Sequence, residues 1–147
     1  MDTRSPISRT RWLSELALAD PALLVALSIA TAGWEEVQIT RAPELALVML
    51  RGRISGTGLP FCVGEAVLAR AEVMNAAGLR GIGWRLGEHT EAAVWMARWD
   101  VRLQCSVEEA QDLVGRLQTE RERVAAAQAA RSLDTRVQFF SMETMRK

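Results

Sequence analysis

The spacing of apolar positions changes twice along the chain, from a helical period to alternation and back to a helical period. In residues 9–19 the apolar positions recur at three- and four-residue intervals, which predicts an amphipathic helix. Asp20 before Pro21 is typical of an N-cap followed by the first position of a second helix, which we expect to run to Ala30 and to be ended by Gly33. The N-terminal residues therefore predict a hairpin of two short helices.

The middle of the chain has the two-residue alternation of β-structure. Residues 34–41 predict a half-buried strand, whereas residues 45–53 are apolar on both faces and predict a central strand covered on each side. Residues 61–74 predict one long strand, or a strand bent at Gly64, and residues 81–86 a further strand. Because short turns separate these segments, we expect an antiparallel meander of about four strands.

After Gly87 the period is helical again. One wide apolar stripe predicts a helix able to cover the sheet, formed by Ala92, Trp95, Met96, Trp99 and Leu103. Residues 106–109 have the pattern of a capping box that opens a last helix, whose alanine-rich second half has few apolar anchors. The prediction is an α+β fold: an antiparallel sheet of about four strands, an N-terminal helical hairpin and C-terminal helices. We expect a single domain over residues 1–135 and a docking tail over residues 136–147.

Composition limits the classes of partner. Eighteen Lys and Arg residues balance eighteen Asp and Glu residues, so no net charge draws the chain to nucleic acid or to an anionic membrane. The longest mostly apolar run, residues 22–32, is shorter than the ~20 residues that span a bilayer, and the N-terminus lacks the pattern of a signal peptide. Cys62 and Cys105 lie far apart in apolar contexts and predict two buried free thiols in a reducing compartment. We expect a cytoplasmic protein with no metal site, no nucleic acid and no membrane contact.

A glycine-rich segment between two predicted strands is the candidate site for phosphate or partner contacts. Arg51 and Arg53 are two positions apart on a strand and so project from one face, and Gly56, Thr57 and Gly58 follow them. Guanidiniums beside the N–H groups of a glycine-rich loop suit phosphate oxygens. From spacing alone we favour a flexible hairpin connection with two solvated arginines. The segment is no P-loop, since it has no lysine and a strand follows it.

The glycines of this segment are the positions where we expect positive φ or the close approach of another backbone: Gly52, Gly56, Gly58 and Gly64.

The sequence predicts no catalytic residues and no metal ligands. The one histidine, His89, is interpreted as a surface or capping residue at the start of a helix. Glu65 is expected to pair with a nearby arginine such as Arg70 or Arg53 rather than to act in a pocket. No Ser/His/Asp set, close carboxylate pair or metal cluster is evident, so an active site complete in this chain is not expected.

The C-terminal residues carry bulky apolar side chains after a helix with few anchors. Phe139, Phe140 and Met142 form the proposed partner-binding tail, for which docking on the chain's own sheet and insertion into a neighbouring subunit remain open. Trp95 and Trp99 are interpreted as core residues.

Ordered motifs along nearly the whole chain resemble the PhnG family, the G subunit of the bacterial carbon–phosphorus lyase core complex. The central motifs are Arg41-Ala42-Pro43-Glu44, Leu47-Val48-Met49, Arg51-Gly52-Arg53, Gly56-Thr57-Gly58, Pro60-Phe61, Gly64-Glu65 and Arg70-Ala71. The N-terminal helix, the helix after the sheet and the C-terminal signature also agree, at Arg11-Trp12-Leu13, at Glu91-Ala92 with Ala97 and Asp100, and at residues 136–142. The chain departs from the family pattern at Ser55, Cys62 and Gln138.

The resemblance implies a subunit that works with H, I and L subunits to transfer ribose triphosphate from ATP to an alkylphosphonate, with release of adenine. It implies that the product passes to a J subunit, that the nucleosidase centre lies mainly on the I subunit, and that ATP is a substrate of the complex while no cofactor is held by this chain alone. Two alternatives stay open: a self-sufficient nucleotide or phosphate-ester enzyme using the glycine-rich loop, and a homodimeric module that binds a small molecule.

Overall fold

The computed structural model describes residues 7–53 and 58–134, with side chains up to Ser132. The elements in chain order are α1 (Arg9–Leu18), α2 (Pro21–Ala30), β1 (Val37–Arg53), β2 (Pro60–Asn75), β3 (Arg80–Leu86), α3 (Thr90–Cys105) and α4 (Val107–Asp134). The three strands form one antiparallel sheet in the order β1-β2-β3. The α+β class, the N-terminal helical pair and the C-terminal helices are confirmed.

The helix ends follow local side-chain chemistry. Ser8 caps α1 by accepting from the Arg11 N–H, and Asp20 caps α2 by accepting from the Leu23 N–H at 2.9 Å, as its place before Pro21 predicts. The Ser106 hydroxyl accepts from the Glu109 N–H at the start of α4. Among the described residues no single helix is long and apolar enough to cross a membrane, although the bent pair α1 and α2 passes that test by length and composition.

The sheet has three strands rather than about four, because residues 34–41 and 45–53 do not form separate strands. They join in the 17-residue β1, whose pairing with β2 shifts register between Ile39 and Arg41 and between Arg41 and Glu44. Bulges of this kind let a strand continue past Pro43, which cannot donate to the ladder. β2 is one long strand, as predicted.

The helices cover one face of the sheet, called here the helix-side face. Ala69 and Ala71 of β2 pack against Ala93 of α3, and Val73 packs against Ala97 and Val101. β3 lies so close that a Cβ on Gly83 would fall well inside van der Waals contact with the Ala93 carbonyl oxygen. The residues of α3 that cover the sheet are therefore small.

The large apolar stripe of α3 was predicted to cover the sheet, but it packs against other helices. Ala92, Met96, Trp99 and Leu103 are buried against α1, α2 and the first half of α4 rather than against the sheet. Trp99 is part of this core, as predicted, while Trp95 is half-buried at its margin. The expected division into a domain over residues 1–135 and a tail beyond it stays a prediction, since residues 135–147 lie outside the described ranges.

Candidate functional site

The distal halves of β1 and β2 extend beyond the rest of the sheet as a two-stranded ribbon. We define the ribbon as residues 45–53 of β1 and residues 60–67 of β2, which pair with each other from Leu47 opposite Val67 to Arg53 opposite Pro60. β3 pairs with β2 only between Ala69 and Met74. The last hydrogen bond from the β3 side reaches the Val67 carbonyl, which accepts from the Gly87 N–H at 2.8 Å. Along the ribbon, both outer edges are therefore without a neighbouring strand in the described part of the chain.

The ribbon is apolar and exposed on both faces. The register puts Leu45, Leu47 and Met49 on the helix-side face, beyond the part that α3 covers. Val48 and Leu50 lie on the opposite face, called here the open face. Seven of the fourteen exposed large apolar residues in the described chain belong to the ribbon or its connection: Leu45, Leu47, Met49, Leu50, Leu59, Phe61 and Val63. The prediction that residues 45–53 form a central strand covered on each side is wrong, because β1 is an edge strand and no described element covers either face there.

Arg51 and Arg53 lie at the outer end of the ribbon, where both are exposed. The Arg53 Nη1 donates to the Gly58 carbonyl at 3.5 Å, and the Arg51 guanidinium has no hydrogen-bond or ion-pair partner among the described residues. Gly56 and Thr57 lie in the undescribed range 54–57. The structure thus puts two unneutralised cations at the end of an apolar arm.

The glycines of the ribbon differ from the expectation of positive φ. Neither Gly52 nor Gly64 has a positive φ; the described glycines for which a positive φ is found are Gly33, Gly78 and Gly87. Gly52 instead permits close packing, since a Cβ there would lie 2.7 Å from the Val63 Cγ2. The register shift between Leu50 and Arg51 makes Val63 the extra residue of β2, so the pairing has a bulge next to Gly64.

Glu65 and His89 do not form a catalytic arrangement. Glu65 is exposed opposite Met49, and the described residues offer it no ion pair: Arg70 pairs with Glu44 instead, at 2.8 Å. His89 is exposed at the N-cap of α3, where its side chain makes no capping hydrogen bond. It borders a groove of about 710 Å³ between α2 and the start of α3. In the described ranges no group of three or more His, Cys, Asp or Glu residues is placed to hold a metal ion. Cys62 and Cys105 are free thiols, but both are exposed, so the prediction that they are buried is wrong.

A cluster of ion pairs lies on the open face beside the ribbon, and sequence reasoning missed it. Arg41 contacts Glu44 at 2.9 Å and Glu72 at 3.0 Å, and Arg80 contacts Glu72 at 2.6 Å. The Arg41 and Arg70 guanidiniums hold the pKa of Glu44 below its ordinary value of 4.5, and Arg80 and Arg41 do the same to the pKa of Glu72. The charged residues Arg70 and Glu72, at alternate positions of β2, were the available signal, but their pairing with Arg41 and Glu44 depends on the bulges of β1.

A buried carboxylate fixes the covered part of the molecule. Asp100 of α3 accepts from Arg9 at 2.7 and 3.1 Å, from the Trp12 indole N–H at 3.0 Å and from the Ile82 N–H at 3.0 Å, which ties α1 and β3 to α3. These hydrogen bonds raise the pKa of Arg9. Asp100 therefore has a structural role in this chain.

A second buried polar group lies at the end of α1. Arg85 of β3 donates to the carbonyls of Leu16 and Ala19, and burial lowers the pKa of its guanidinium while nearby Asp20 acts in the opposite direction. A cation at a helix C-terminus is favourable, so Arg85 fastens α1 to the sheet.

The tail residues Phe139, Phe140 and Met142 lie outside the described residues, so their docking stays a prediction.

The described geometry comprises a covered core, an uncovered apolar ribbon and two cations at its end. The family model described as "Phosphonate metabolism protein PhnG" matches residues 7–145. A relative from Rhizobium meliloti (strain 1021), named alpha-D-ribose 1-methylphosphonate 5-triphosphate synthase subunit PhnG, is 39% identical over 113 residues, which cover 73% of this chain and 70% of the relative. Since the family model spans nearly the whole chain, the chain belongs to the PhnG family.

Proposed function

We propose that this protein is a subunit of an α-D-ribose 1-methylphosphonate 5-triphosphate synthase in the carbon–phosphorus lyase system. In this proposal the complex transfers ribose triphosphate from ATP to an alkylphosphonate and releases adenine. The partners are H-, I- and J-type core subunits and an L-type subunit, the nucleosidase centre lies mainly on a partner, and the assembly works in the cytoplasm. The observation that carries the proposal is the 39% identity to a relative named as a subunit of that synthase.

The reaction requires several groups at one centre. The bond between the anomeric carbon and adenine breaks, and a phosphonate oxygen forms the new bond to that carbon. An acid for the departing base, a carboxylate near an oxocarbenium-like carbon and cations for the triphosphate would lower the barrier. In residues 7–53 and 58–134 the exposed Glu65 and His89 lie on different elements, and neither has an orienting partner. The chain thus favours a shared or non-catalytic role over a self-sufficient enzyme.

The part of the chain suited to the substrate is the end of the ribbon. Arg51 and Arg53 are exposed there, and no described carboxylate neutralises them. Guanidiniums form strong charge-assisted hydrogen bonds with phosphate and phosphonate oxygens. In the assembled complex these two residues contact either the anionic substrate or an acidic surface of a neighbouring subunit, together with Gly56, Thr57 and Gly58. This chain binds no cofactor by itself.

The proposal is tested by reconstitution with one component omitted at a time. H-, I- and L-type synthase subunits are purified and combined with and without this chain, and adenine release from ATP and methylphosphonate is measured by chromatography. We expect release by the complete set and a loss of at least about tenfold when this chain is absent, since an obligatory subunit cannot be replaced.

Two results would contradict the proposal. Robust ATP turnover by the isolated chain would support a self-sufficient enzyme. Failure of the chain to associate with its neighbours, together with self-association and small-molecule binding, would support the homodimeric module.

A further inference from the structure

The exposed apolar area of the ribbon is as large as the largest apolar patch of a typical monomer. Its six exposed apolar side chains are between 44% and 68% exposed. At on the order of 100 Å² each they present roughly 600 Å² over the two faces, whereas the largest apolar patch on a typical monomer is about 300–600 Å² and is often functional. One partner in an interface of standard size contributes about 800 Å². The area therefore matches one side of a stable interface.

The apolar side chains lie on both faces of the ribbon, so a single flat contact cannot bury them. Leu47, which is 68% exposed, is on the helix-side face, and Val63, which is 62% exposed, packs beside Gly52 and so belongs with Leu50 on the open face. The two-sided apolar pattern is typical of a strand with a layer on each side. Within the described chain, α3 supplies one such layer only as far as Ala69.

A second copy of this chain is a poor occupant. A symmetric pair of copies would use the same patch on each and would cover one face of each ribbon, leaving the other in water. The groove beside His89 could not accept the ribbon of another copy, because its volume of about 710 Å³ is that of a small-ligand pocket and is too small for a β-hairpin. The tail of the chain itself contributes few bulky apolar side chains, with Phe139, Phe140 and Met142 as the largest group.

We infer that the ribbon is an arm that inserts into an apolar cleft of a different subunit of the synthase, which covers both of its faces; this rests on the proposed function. Arg51 and Arg53, at the outer end of the ribbon, would reach the innermost part of this cleft. The partner therefore presents anionic groups there, either acidic side chains or the bound triphosphate or phosphonate. The exposed apolar residues of the ribbon are thus core residues of the assembly.

The test places one charge on each face of the arm. Leu47→Asp and Val63→Asp are made separately in the full chain, with Leu18→Asp as the matched control, because Leu18 is 62% exposed on α1 and away from the ribbon. Binding to the assembly of the other synthase subunits is measured by calorimetry. We expect each ribbon variant to bind at least about tenfold more weakly and the control to stay within about twofold of the parent chain.

Folding is checked by the thermal midpoint, which we expect to shift by less than about 3 °C in all three variants because the altered side chains are exposed in the isolated chain. If a ribbon variant unfolds, Leu47→Ser and Val63→Ser replace it, with the same expected order of affinities.

The outcomes separate this inference from the proposed function. Parent-like binding by both ribbon variants, or by one of them, would overturn two-sided insertion while leaving the subunit role intact. A concentration-dependent dimer of the isolated chain that the ribbon variants abolish would also overturn it, by showing a second copy as the occupant. Failure of the parent chain to bind any synthase subunit would overturn the proposed function and this inference together.

Discussion

The two ends of the same β-hairpin differ in what covers them. Near the body, Ala69, Ala71 and Val73 are buried under α3, while Asp100 accepts from the Ile82 N–H and Arg85 donates to the Leu16 carbonyl. In the ribbon the side chains are larger and more apolar, and they are exposed. Apolar burial stabilises at about 25 cal/mol per Å², so the larger residues offer more stabilisation if covered. The comparison indicates a hairpin whose small residues pack against α3 and whose large apolar residues are left for another surface.

The largest loss of stability from a single substitution is expected at Asp100, in the covered part of the molecule. Asp100→Ala leaves the Trp12 indole N–H and the Ile82 N–H without their acceptor in a buried site. We expect the free energy of unfolding to fall by about 3–5 kcal/mol. Denaturation in urea measures it, with Asp112→Ala, at a largely exposed position on α4, as the control expected to change by less than about 0.5 kcal/mol. A loss below about 1 kcal/mol for Asp100→Ala would contradict its role in the body.

A pair of glycines sharpens the comparison. A Cβ at Gly83 would collide with the backbone of α3, so Gly83→Ala is expected to lower the free energy of unfolding by about 1–3 kcal/mol. A Cβ at Gly64 in the ribbon would meet nothing within 4 Å, so Gly64→Ala is expected to leave stability unchanged or to raise it by up to about 1 kcal/mol. Equal effects at the two positions would show that the ribbon is packed as closely as the body.

A smaller effect is expected from acid at the ion pairs of the open face. Glu44 and Glu72 have a lower pKa in the folded chain than their ordinary 4.5, so their contribution to stability is present above that value and is lost as pH falls through the lower folded values. The free energy of unfolding should therefore decrease on acidification below about pH 5, and less steeply in Glu44→Gln and Glu72→Gln. Urea titrations across this range measure the slope, with Glu122→Gln as an exposed control. Unaltered slopes in both variants would contradict the assignment.

The smallest effect on stability is expected at the end of the ribbon. Because Arg51 and Arg53 are exposed, the double variant Arg51→Ala/Arg53→Ala should unfold within about 0.5 kcal/mol of the parent. In the reconstituted complex, however, we expect adenine release to fall at least about tenfold, through lost charge-assisted contacts. Arg116→Ala/Arg123→Ala on exposed positions of α4 is the matched control. Unchanged adenine release by the ribbon variant would show that both arginines are solvated surface residues with no role in the reaction.

Local signals in the sequence predicted the parts of the fold that depend on neighbouring residues. Asp20 before Pro21 predicted the cap of α2, and the alternation of residues 61–74 predicted β2 as one strand. The joining of two predicted strands into β1 depends on bulges opposite β2, which no local pattern specifies. The sheet-covering residues of α3 were missed because Ala93 and Ala97 have little bulk, so they do not stand out beside Trp95 and Trp99.

The candidate site was predictable only in part. The spacing of Arg51 and Arg53 identified the end of the ribbon, which the structure places in the open. Apolar residues on both faces of residues 45–53 predicted a covered central strand, whereas β1 is an edge strand, because a local pattern does not show where the chain's own helices lie. The hydrogen bonds of Asp100 could not be predicted either. Asp100 accepts from Arg9 and Trp12, which lie about ninety positions away in the sequence, and only the packing of α1 against α3 brings these residues together.

Hydrogen exchange followed by mass spectrometry tests most directly whether another subunit covers the ribbon. Exchange is compared at residues 45–53 and 60–67 and at α3, in the isolated chain and in the assembled synthase. We expect ribbon amides to exchange rapidly in the isolated chain and at least about tenfold more slowly in the complex, with little change in the buried part of α3. Equal ribbon exchange in both samples, whether fast or already slow in the isolated chain, would contradict the account.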